Sequence, residues 1–388
     1  MAKITYLLGA GASYYACPIL EKQAEMMIAV ASEEIKNATT KNDGYGGITY
    51  DDYQYLSHEI LNLPDNNKIH ILWHIGYFGK KAIEYNTIDT YARKLFLNDE
   101  LDELNLLKMS VSVFFDLWEN FYETRYKHFS DEEFSIFENK NIPSKNMRYK
   151  RIDDRYKSLF SVLLNKNEDS EIKLNNDFKF ITWNYDLQLE TTFKLFLKDG
   201  NQLNNKSLNK KFKFTNDESL QLNDVFHLNG YRGFYDVKDG ITENQFNTFE
   251  DYWLNNEYLY DAVINKSTHF NNHIKYAWEQ DLDHPFFQKI NNFLRSTEIL
   301  VIIGYSFPAF NRQIDQNLLN KINNNKIKKI VYQDPNATKQ MILNLFEKPE
   351  IFKDKIEVIT DPKELKQFYL PNEYFISQEN LKGKYDIR

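Results

Sequence analysis

The sequence predicts an α/β protein whose core is a Rossmann-like parallel β-sheet, interrupted by a large and mainly helical insertion. Three observations indicate this fold. Short apolar runs alternate along the chain with segments of helical periodicity, which is typical of parallel strands covered on both faces. Each run ends in glycine or in polar residues. A long stretch between the first two runs has apolar residues at spacings of three and four, which favours helices.

The expected strands and helices follow one another in the order that a parallel sheet requires. The apolar runs that predict strands are residues 4–8, 178–183, 224–228, 298–304 and 329–333. The expected helices are residues 19–35, 187–197 and 311–322, with another after residues 334–336. Residues 201–213 are rich in Asn and Lys and predict a loop or hairpin, and the basic stretch 140–155 predicts an exposed connection.

These segments divide the chain into a core and an insertion. We expect the core to comprise residues 1–45 and 172–388, within which residues 231–285 form a second, smaller insertion. Residues 46–171 form the mainly helical insertion, which is rich in Leu, Tyr and Phe.

Composition excludes several classes of protein. Cys17 is the only cysteine among 388 residues, which rules out an intrachain disulfide framework and a zinc site built from cysteines. The net charge of −8, from 48 basic and 56 acidic residues, argues against a surface wrapped in nucleic acid. No apolar run approaches the roughly 18 residues that cross a bilayer, and the first residues lack a secretory core, so we expect a cytoplasmic protein.

A glycine turn, Gly9-Ala10-Gly11-Ala12-Ser13, follows the first strand. Its glycines would let the backbone approach a phosphate closely, and the Ser13 hydroxyl could add a donor beside the amides of the following helix. The third glycine of the dinucleotide fingerprint is replaced by Tyr14, which makes a hydride-transfer enzyme less favoured. The alternative is a tight turn in which the glycines serve packing alone.

Four motifs, in this order and each at a strand end, resemble those of the sirtuin family. They are Gly9-Ala10-Gly11-Ala12-Ser13, Thr182-Trp183-Asn184-Tyr185-Asp186, His227-Leu228-Asn229-Gly230 and Gly304-Tyr305-Ser306-Phe307. The longer phrases at residues 88–93 and 303–315 are similar to the bacterial sirtuin-like proteins of antiphage defence, in which the domain hydrolyses NAD+. Residues 40–175 and 231–285 have no counterpart in the resemblance.

Two departures from the family bear on the activity. Sirtuin deacylases carry a small module built on four zinc-bound cysteines, which Cys17 alone cannot form. Two residues separate His227 from Gly230, where sirtuins have His followed directly by Gly. The first departure favours NAD+ hydrolysis over deacylation.

The resemblance implies roles for individual residues. Asn184 would hydrogen-bond a ribose hydroxyl or the attacking water, and His227 would act as a general base. Breaking the nicotinamide–ribose bond needs no strong nucleophile, because the leaving group is already a cationic pyridinium, and no metal is expected. The residues expected to bind NAD+ are Gly9, Ala10, Gly11, Ser13, Thr182, Asp186, Gly304, Ser306 and Asp334.

Each of these residue types also has a structural use that the sequence leaves open. Asn184 could form a turn, and His227 could be a half-buried histidine in a strand. Asp186 could cap a helix. Gly304 and Ser306 could form a strand-to-helix turn, and Asp334 lies in an Asp-Pro-Asn turn sequence.

The resemblance also implies partners and two alternative functions. A homo-oligomer is expected, with control by a HerA-type ring ATPase or another defence partner, and residues 50–137 are an expected assembly surface. Asp89 and Arg93 could close over the nicotinamide or simply pair on a helix surface. Neither direct nucleic-acid binding nor a membrane is expected. The alternatives to NAD+ hydrolysis are a non-catalytic module that binds NAD+ or ADP-ribose and an NAD-dependent deacylase.

Overall fold

The computed structural model describes residues 2–40, 54–127, 149–166, 170–200, 203–215, 223–237, 240–243, 248–265 and 271–374. The chain divides into two compact units. The first comprises Met1–Ser13, Ile152–Gly230 and Tyr276–Arg388, and the second comprises Tyr14–Arg151 and Tyr231–Lys275. The unit boundaries differ from those expected for the core, because the chain enters the second unit directly after Ser13 and returns to the first at Ile152.

The elements are numbered in chain order. The strands are β1 (Ile4–Leu8), β2 (Leu164–Lys166), β3 (Ile172–Leu174), β4 (Phe178–Thr182), β5 (Val225–His227), β6 (Phe234–Val237), β7 (Gly240–Glu243), β8 (Asn271–Asn272), β9 (Ile299–Ile303), β10 (Lys329–Gln333) and β11 (Ile356–Ile359). The α-helices are α1 (Leu20–Thr40), α2 (Asn67–Glu84), α3 (Ile88–Leu97), α4 (Leu101–Phe121), α5 (Asp154–Leu163), α6 (Gln188–Leu195), α7 (Asn205–Asn209), α8 (Phe249–Ile264), α9 (Pro285–Leu294), α10 (Arg312–Leu319) and α11 (Lys339–Leu343).

The first unit is built on a six-stranded parallel sheet in the order β11-β10-β9-β1-β4-β5. When the six strands are renumbered along the chain and read from β5, their order is 3-2-1-4-5-6, which is compatible with a Rossmann-like fold. The predicted α/β class and parallel sheet are therefore confirmed. The strand order reverses between β1 and β9, and an open parallel sheet binds its ligand at such a point.

The register of the sheet aligns the strand ends that carry the sequence motifs. Leu8 of β1 pairs with Thr182 of β4 on one side and with Ile303 of β9 on the other. His227 of β5 pairs in turn with Thr182. Every residue of β1, β4 and β9 is buried, as their continuous apolar runs predict. The segments after β1, β4, β5 and β9 therefore start from one edge of the sheet.

All five predicted strands are present, with bounds that differ by at most one residue at either end. The edge strand β11 was not expected, because its sequence Ile-Glu-Val-Ile is short and interrupted by a charge. The prediction of a loop or hairpin at residues 201–213 is wrong for the described part, which contains α7. The side chain of Asn204 caps this helix, and the buried Leu208 anchors it.

The prediction of an exposed connection at residues 140–155 holds only in part where the structure describes it, because Lys150 and Arg151 are exposed but the residues that begin α5 are largely buried. Asp153 and Arg155 are buried at the start of α5, and Asp153 caps that helix by accepting a hydrogen bond from the backbone N–H of Arg155. Residues 140–148 lie outside the described part of the chain.

The second unit combines helices α1, α2, α3, α4 and α8 with a small antiparallel sheet in the order β7-β6-β8. Helix α2 approaches α1 closely at Gly79, where a Cβ atom would lie 2.8 Å from the carbonyl oxygen of Ala24. The segment expected to be helical, residues 50–137, contains α2, α3 and α4, and its residues 50–53 and 128–137 are outside the described ranges. Among the helices described here, none has the length and apolar character needed to span a membrane.

Candidate functional site

Three glycines meet where the strand order reverses. A Cβ atom on Gly9 would lie 2.6 Å from the carbonyl oxygen of Gly304, and one on Gly11 would lie 2.8 Å from the Gly304 Cα. Gly304 itself has a left-handed backbone, with φ of 60°. The turn after β1 and the turn after β9 therefore touch through their backbones, which only glycine permits.

Much of the hydrogen-bonding capacity of the glycine turn is used within the protein. The amides of Gly9 and Gly11 donate to the carbonyls of Ile303 and Gly304 at 3.0 and 2.9 Å, and the amide of Ala12 donates to Gly9. The turn is a short 3₁₀-helix, Ala10–Ser13, and the next α-helix begins only at Leu20, in the second unit. The expected helix amino terminus beneath a phosphate is therefore absent from this turn. The contacts explain the glycines by packing, the alternative that the sequence left open.

Arg155 stabilises the glycine turn, a role that the local sequence did not predict. Its Nη2 atom donates to the carbonyl oxygens of Gly11 and Ala12 at 3.0 and 3.1 Å. Its guanidinium is also paired with the buried carboxylate of Asp153, at 2.6 Å. A charged donor with a fixed counter-ion thus bonds two carbonyls of the turn that would otherwise lack this hydrogen-bond partner.

Ser13, Thr182 and Asn184 are brought together as predicted site residues. The Nδ2 atom of Asn184 donates to Ser13 Oγ at 3.2 Å, and its backbone N–H donates to Thr182 Oγ1 at 3.0 Å. Ser13 Oγ also lies 3.3 Å from the hydroxyl of Tyr156, whose pKa burial raises well above its usual value. All four side chains are buried and uncharged. The bond from Nδ2 to Ser13 orients the Asn184 amide.

His227 lies on the neighbouring strand and is paired with an acid that sequence reasoning missed. Its Nε2 atom lies 2.9 Å from Oε1 of Glu190, and both side chains are only 1% exposed. Because an ionised carboxylate can only accept hydrogen bonds, Nε2 carries the ring proton whenever Glu190 is ionised. Glu190 stands on α6, four residues after Asp186, and nothing in the local pattern distinguishes it from a surface glutamate.

The remaining predicted residues have less specialised surroundings. Asp186 accepts the backbone N–H of Gln188 at 3.2 Å in the turn that enters α6, but the N-cap position of this helix is Leu187. Asp334 accepts the N–H of Asn336 at 2.8 Å within the turn after β10, and burial raises the pKa of its carboxyl. Ser306 is exposed, and Ala10 is half-buried.

The predicted residues of the helical insertion lie in the other unit. Asp89 and Arg93 are both on α3, and the guanidinium of Arg93 lies 5.3 Å from the centre of the Phe96 ring. Their two expected roles stay predictions.

The edge of the sheet thus offers a neutral amide, a hydroxyl, and a histidine that is paired with a carboxylate. This set can orient a polar substrate and transfer one proton, and it contains no strong nucleophile. Within the described ranges, no three His, Cys, Asp or Glu side chains are grouped where they could hold a metal ion. The expectation that the chemistry needs no metal stays a prediction.

The sequence matches no model of a protein family, and no curated protein matches it.

Proposed function

We propose that the protein is an NAD+ glycohydrolase, which cleaves NAD+ to nicotinamide and ADP-ribose. The observation that carries this proposal is the placement of Asn184 and His227. Asn184 follows β4, and His227 ends the neighbouring parallel strand β5. Both strands lie on one side of the point where the strand order reverses, and such a sheet binds its ligand at that point. The resemblance of the four ordered motifs to sirtuins supplies the substrate.

In the proposed reaction, the bond between the nicotinamide nitrogen and the ribose C1′ breaks and its electron pair stays on the nitrogen. Water adds to the oxocarbenium-like C1′ and releases one proton, so NAD+ and water give nicotinamide, ADP-ribose and a proton. Because Nδ2 of Asn184 is directed to Ser13, we assign its side-chain oxygen to a ribose hydroxyl or to the water. His227 takes the proton.

Glu190 would assist His227 in this scheme. Its carboxylate holds the imidazole ring in one orientation and stabilises the positive charge that the ring gains with the proton. The pair is buried, so their attraction is little screened by solvent.

In the cell, we propose that this activity depletes NAD+ during phage infection. An enzyme that destroys a central cofactor must be restrained beforehand, so the proposal includes a homo-oligomer and a defence partner such as a HerA-type ATPase. The proposed compartment is the cytoplasm.

A non-catalytic module that binds NAD+ or ADP-ribose is the second candidate, and one observation favours it. His227 is almost fully buried and its Nε2 is bound to Glu190, as expected for a histidine that stabilises a strand. A deacylase is the third candidate, and the single Cys17 disfavours it because the zinc module of sirtuin deacylases needs four cysteines.

The test is the release of nicotinamide and ADP-ribose from NAD+ by the purified chain, alone and with the product of its neighbouring gene. Asn184→Ala and His227→Ala should each lower turnover by about 100-fold or more, since each removes a group that acts in the transition state. Asn336→Ala and His284→Ala are matched controls on the same unit and should retain full turnover.

Three outcomes distinguish the candidates. Release of nicotinamide without any acylated peptide supports the glycohydrolase. Release of nicotinamide that depends on such a peptide supports the deacylase. Binding of ADP-ribose without release, even with the partner present, supports the binding module. Full turnover by both folded alanine variants would show that the site is elsewhere.

A further inference from the structure

Asp315 is a buried carboxyl that joins two of the motif segments. It lies on α10 and is 1% exposed. Its Oδ1 atom accepts a hydrogen bond from the indole N–H of Trp183 at 3.2 Å, and its Oδ2 atom accepts one from the hydroxyl of Tyr305 at 2.8 Å. Trp183 directly precedes Asn184, and Tyr305 directly follows Gly304.

The two segments that Asp315 joins do not follow adjacent strands. Trp183 comes after β4 and Tyr305 after β9, and β1 lies between these strands in the sheet. The rings of Trp183 and Tyr305 stack with their centres 6.0 Å apart. A single carboxyl therefore links both sides of the central strand.

Further bonds hold Tyr305 in place. Its hydroxyl also accepts a hydrogen bond from Nδ2 of Asn311 at 3.0 Å, and its backbone carbonyl accepts one from the hydroxyl of Tyr332 at 2.7 Å. The following Phe307 has a left-handed backbone, with φ of 53°, a conformation that persists only where neighbours impose it. The turn that carries Ser306 is thus tightly constrained.

Stability alone does not account for an acid at this position. Asp315 contacts residues of a large apolar cluster that includes Trp183, Tyr305, Ile314 and Leu318, and burial raises the pKa of its carboxyl to about 8. Replacement of a buried polar group together with its partners by apolar groups of the same shape can be nearly neutral, whereas a fully hydrogen-bonded polar network can specify one arrangement of its members.

We propose that Asp315 is a positioning residue, which fixes the segments carrying Asn184 and Ser306 relative to each other so that they bind the two ends of one ligand. The part of this inference that concerns the ligand rests on the proposed function, in which that ligand is NAD+ or ADP-ribose. Asp315 hydrogen-bonds Trp183 and Tyr305 and acts on the ligand through them.

The test compares Asp315→Leu, which fills the space without accepting hydrogen bonds, with Asp315→Asn, which keeps an acceptor for Trp183. Amide hydrogen exchange needs no ligand and should accelerate in residues 183–186 and 304–307 of the leucine variant. ADP-ribose affinity, measured by calorimetry on the full chain, should fall roughly tenfold in Asp315→Leu and less than about threefold in Asp315→Asn.

Tyr305→Phe removes one of the two hydrogen bonds that Asp315 accepts, and this variant is tested instead if Asp315→Leu does not fold. Tyr6→Phe is the matched control, because the hydroxyl of Tyr6 is also buried but donates to the carbonyl of Tyr369 instead. Tyr305→Phe should weaken ADP-ribose binding and Tyr6→Phe should not.

The outcomes separate this inference from the proposed function. Unchanged exchange in either segment of a folded Asp315→Leu or Tyr305→Phe variant overturns the positioning role, as does equal loss of affinity in the leucine and asparagine variants. If exchange accelerates in both segments but the wild-type chain neither binds ADP-ribose nor cleaves NAD+, the NAD+ proposal fails and the role of Asp315 in holding the segments stands.

Discussion

Gly304 combines a backbone conformation and a close neighbour that both exclude a side chain. Its φ of 60° is unfavourable for other residues, and a Cβ atom there would overlap the backbone of Gly11 and Ala12. The neighbouring atoms are backbone, so they cannot rotate away as the end of a flexible side chain could.

Gly304→Ala should therefore lower the free energy of unfolding by more than about 3 kcal/mol, or prevent folding, because it adds overlap to a left-handed backbone. Urea denaturation checks the value. Ser306→Ala, in the same turn but exposed, should change it by less than about 0.5 kcal/mol. A loss below about 1 kcal/mol in Gly304→Ala would mean that the two turns can separate without cost.

Glu190 offers a second test at the level of single residues. Glu190→Gln keeps the shape of the side chain but removes the charge that stabilises a protonated His227. We expect the kcat for nicotinamide release to fall about 10- to 100-fold, with a smaller change in KM, because the charge matters most in the transition state.

The pH profile provides the control for Glu190. Because the pair exchanges a proton in the proposed step, kcat/KM should depend on pH differently in Glu190→Gln and in the wild type. Identical profiles for the two proteins would contradict a role for the pair in proton transfer.

Helix α2 carries a buried histidine whose charge state is tied to folding. His74 packs against Trp73 and Phe78, and its Nε2 atom lies 3.2 Å from the hydroxyl of Tyr260 on α8. Burial lowers the pKa of His74 to about 4. The folded helix pair therefore requires the neutral ring.

The stability of the second unit should accordingly fall in acid. The unfolded chain binds a proton at His74 with a pKa of about 6.5, whereas the folded chain does so only near 4, so stability is lost between these values as the pH falls. The loss attributable to His74 is at most about 3 kcal/mol.

Denaturation of the wild type and of His74→Phe at pH 7 and pH 4 measures this contribution. The phenylalanine variant should show the smaller decrease between the two pH values, and His58→Phe, at an exposed histidine of the same unit, should show the same decrease as the wild type. An equal decrease in His74→Phe and the wild type would assign the acid sensitivity to other groups.

The six-stranded sheet brings all the motif segments of the first unit to one edge, so a ligand that spans them should stabilise the fold. ADP-ribose at 100 times its Kd should raise the free energy of unfolding by about 2.7 kcal/mol, because it binds only the folded chain. Thermal denaturation at increasing ADP-ribose concentration measures the effect. Inorganic phosphate at the same concentration is the control, and an equal effect of phosphate would indicate an anion site without specificity for the nucleotide.

Local patterns in the sequence predict the sheet well. Strands β1 and β10 have the same bounds as the apolar runs that predicted them, since a strand covered on both faces needs a continuous apolar sequence. The edge strand β11 is only four residues long and is interrupted by the exposed Glu357, so its pattern is too weak to identify. Helix α7 was missed because asparagine favours both turns and helix caps.

The partners of the site residues could not be predicted in the same way. Arg155 reaches the carbonyls of Gly11 and Ala12, and Asp315 reaches Trp183, across more than a hundred residues of chain. The sequence around Arg155 and Asp315 does not show which distant residues these side chains contact.

The sequence by itself thus determines the order and residue types of the motifs, because a strand, its terminal glycine and its polar neighbour are consecutive in the chain. The contact of Gly9 and Gly11 with Gly304, the pairing of His227 with Glu190 and the burial of Asp315 arise only when the strands assemble. These depend on which strands are neighbours and on the register between them, and hydrogen bonds and close packing in the folded sheet decide both.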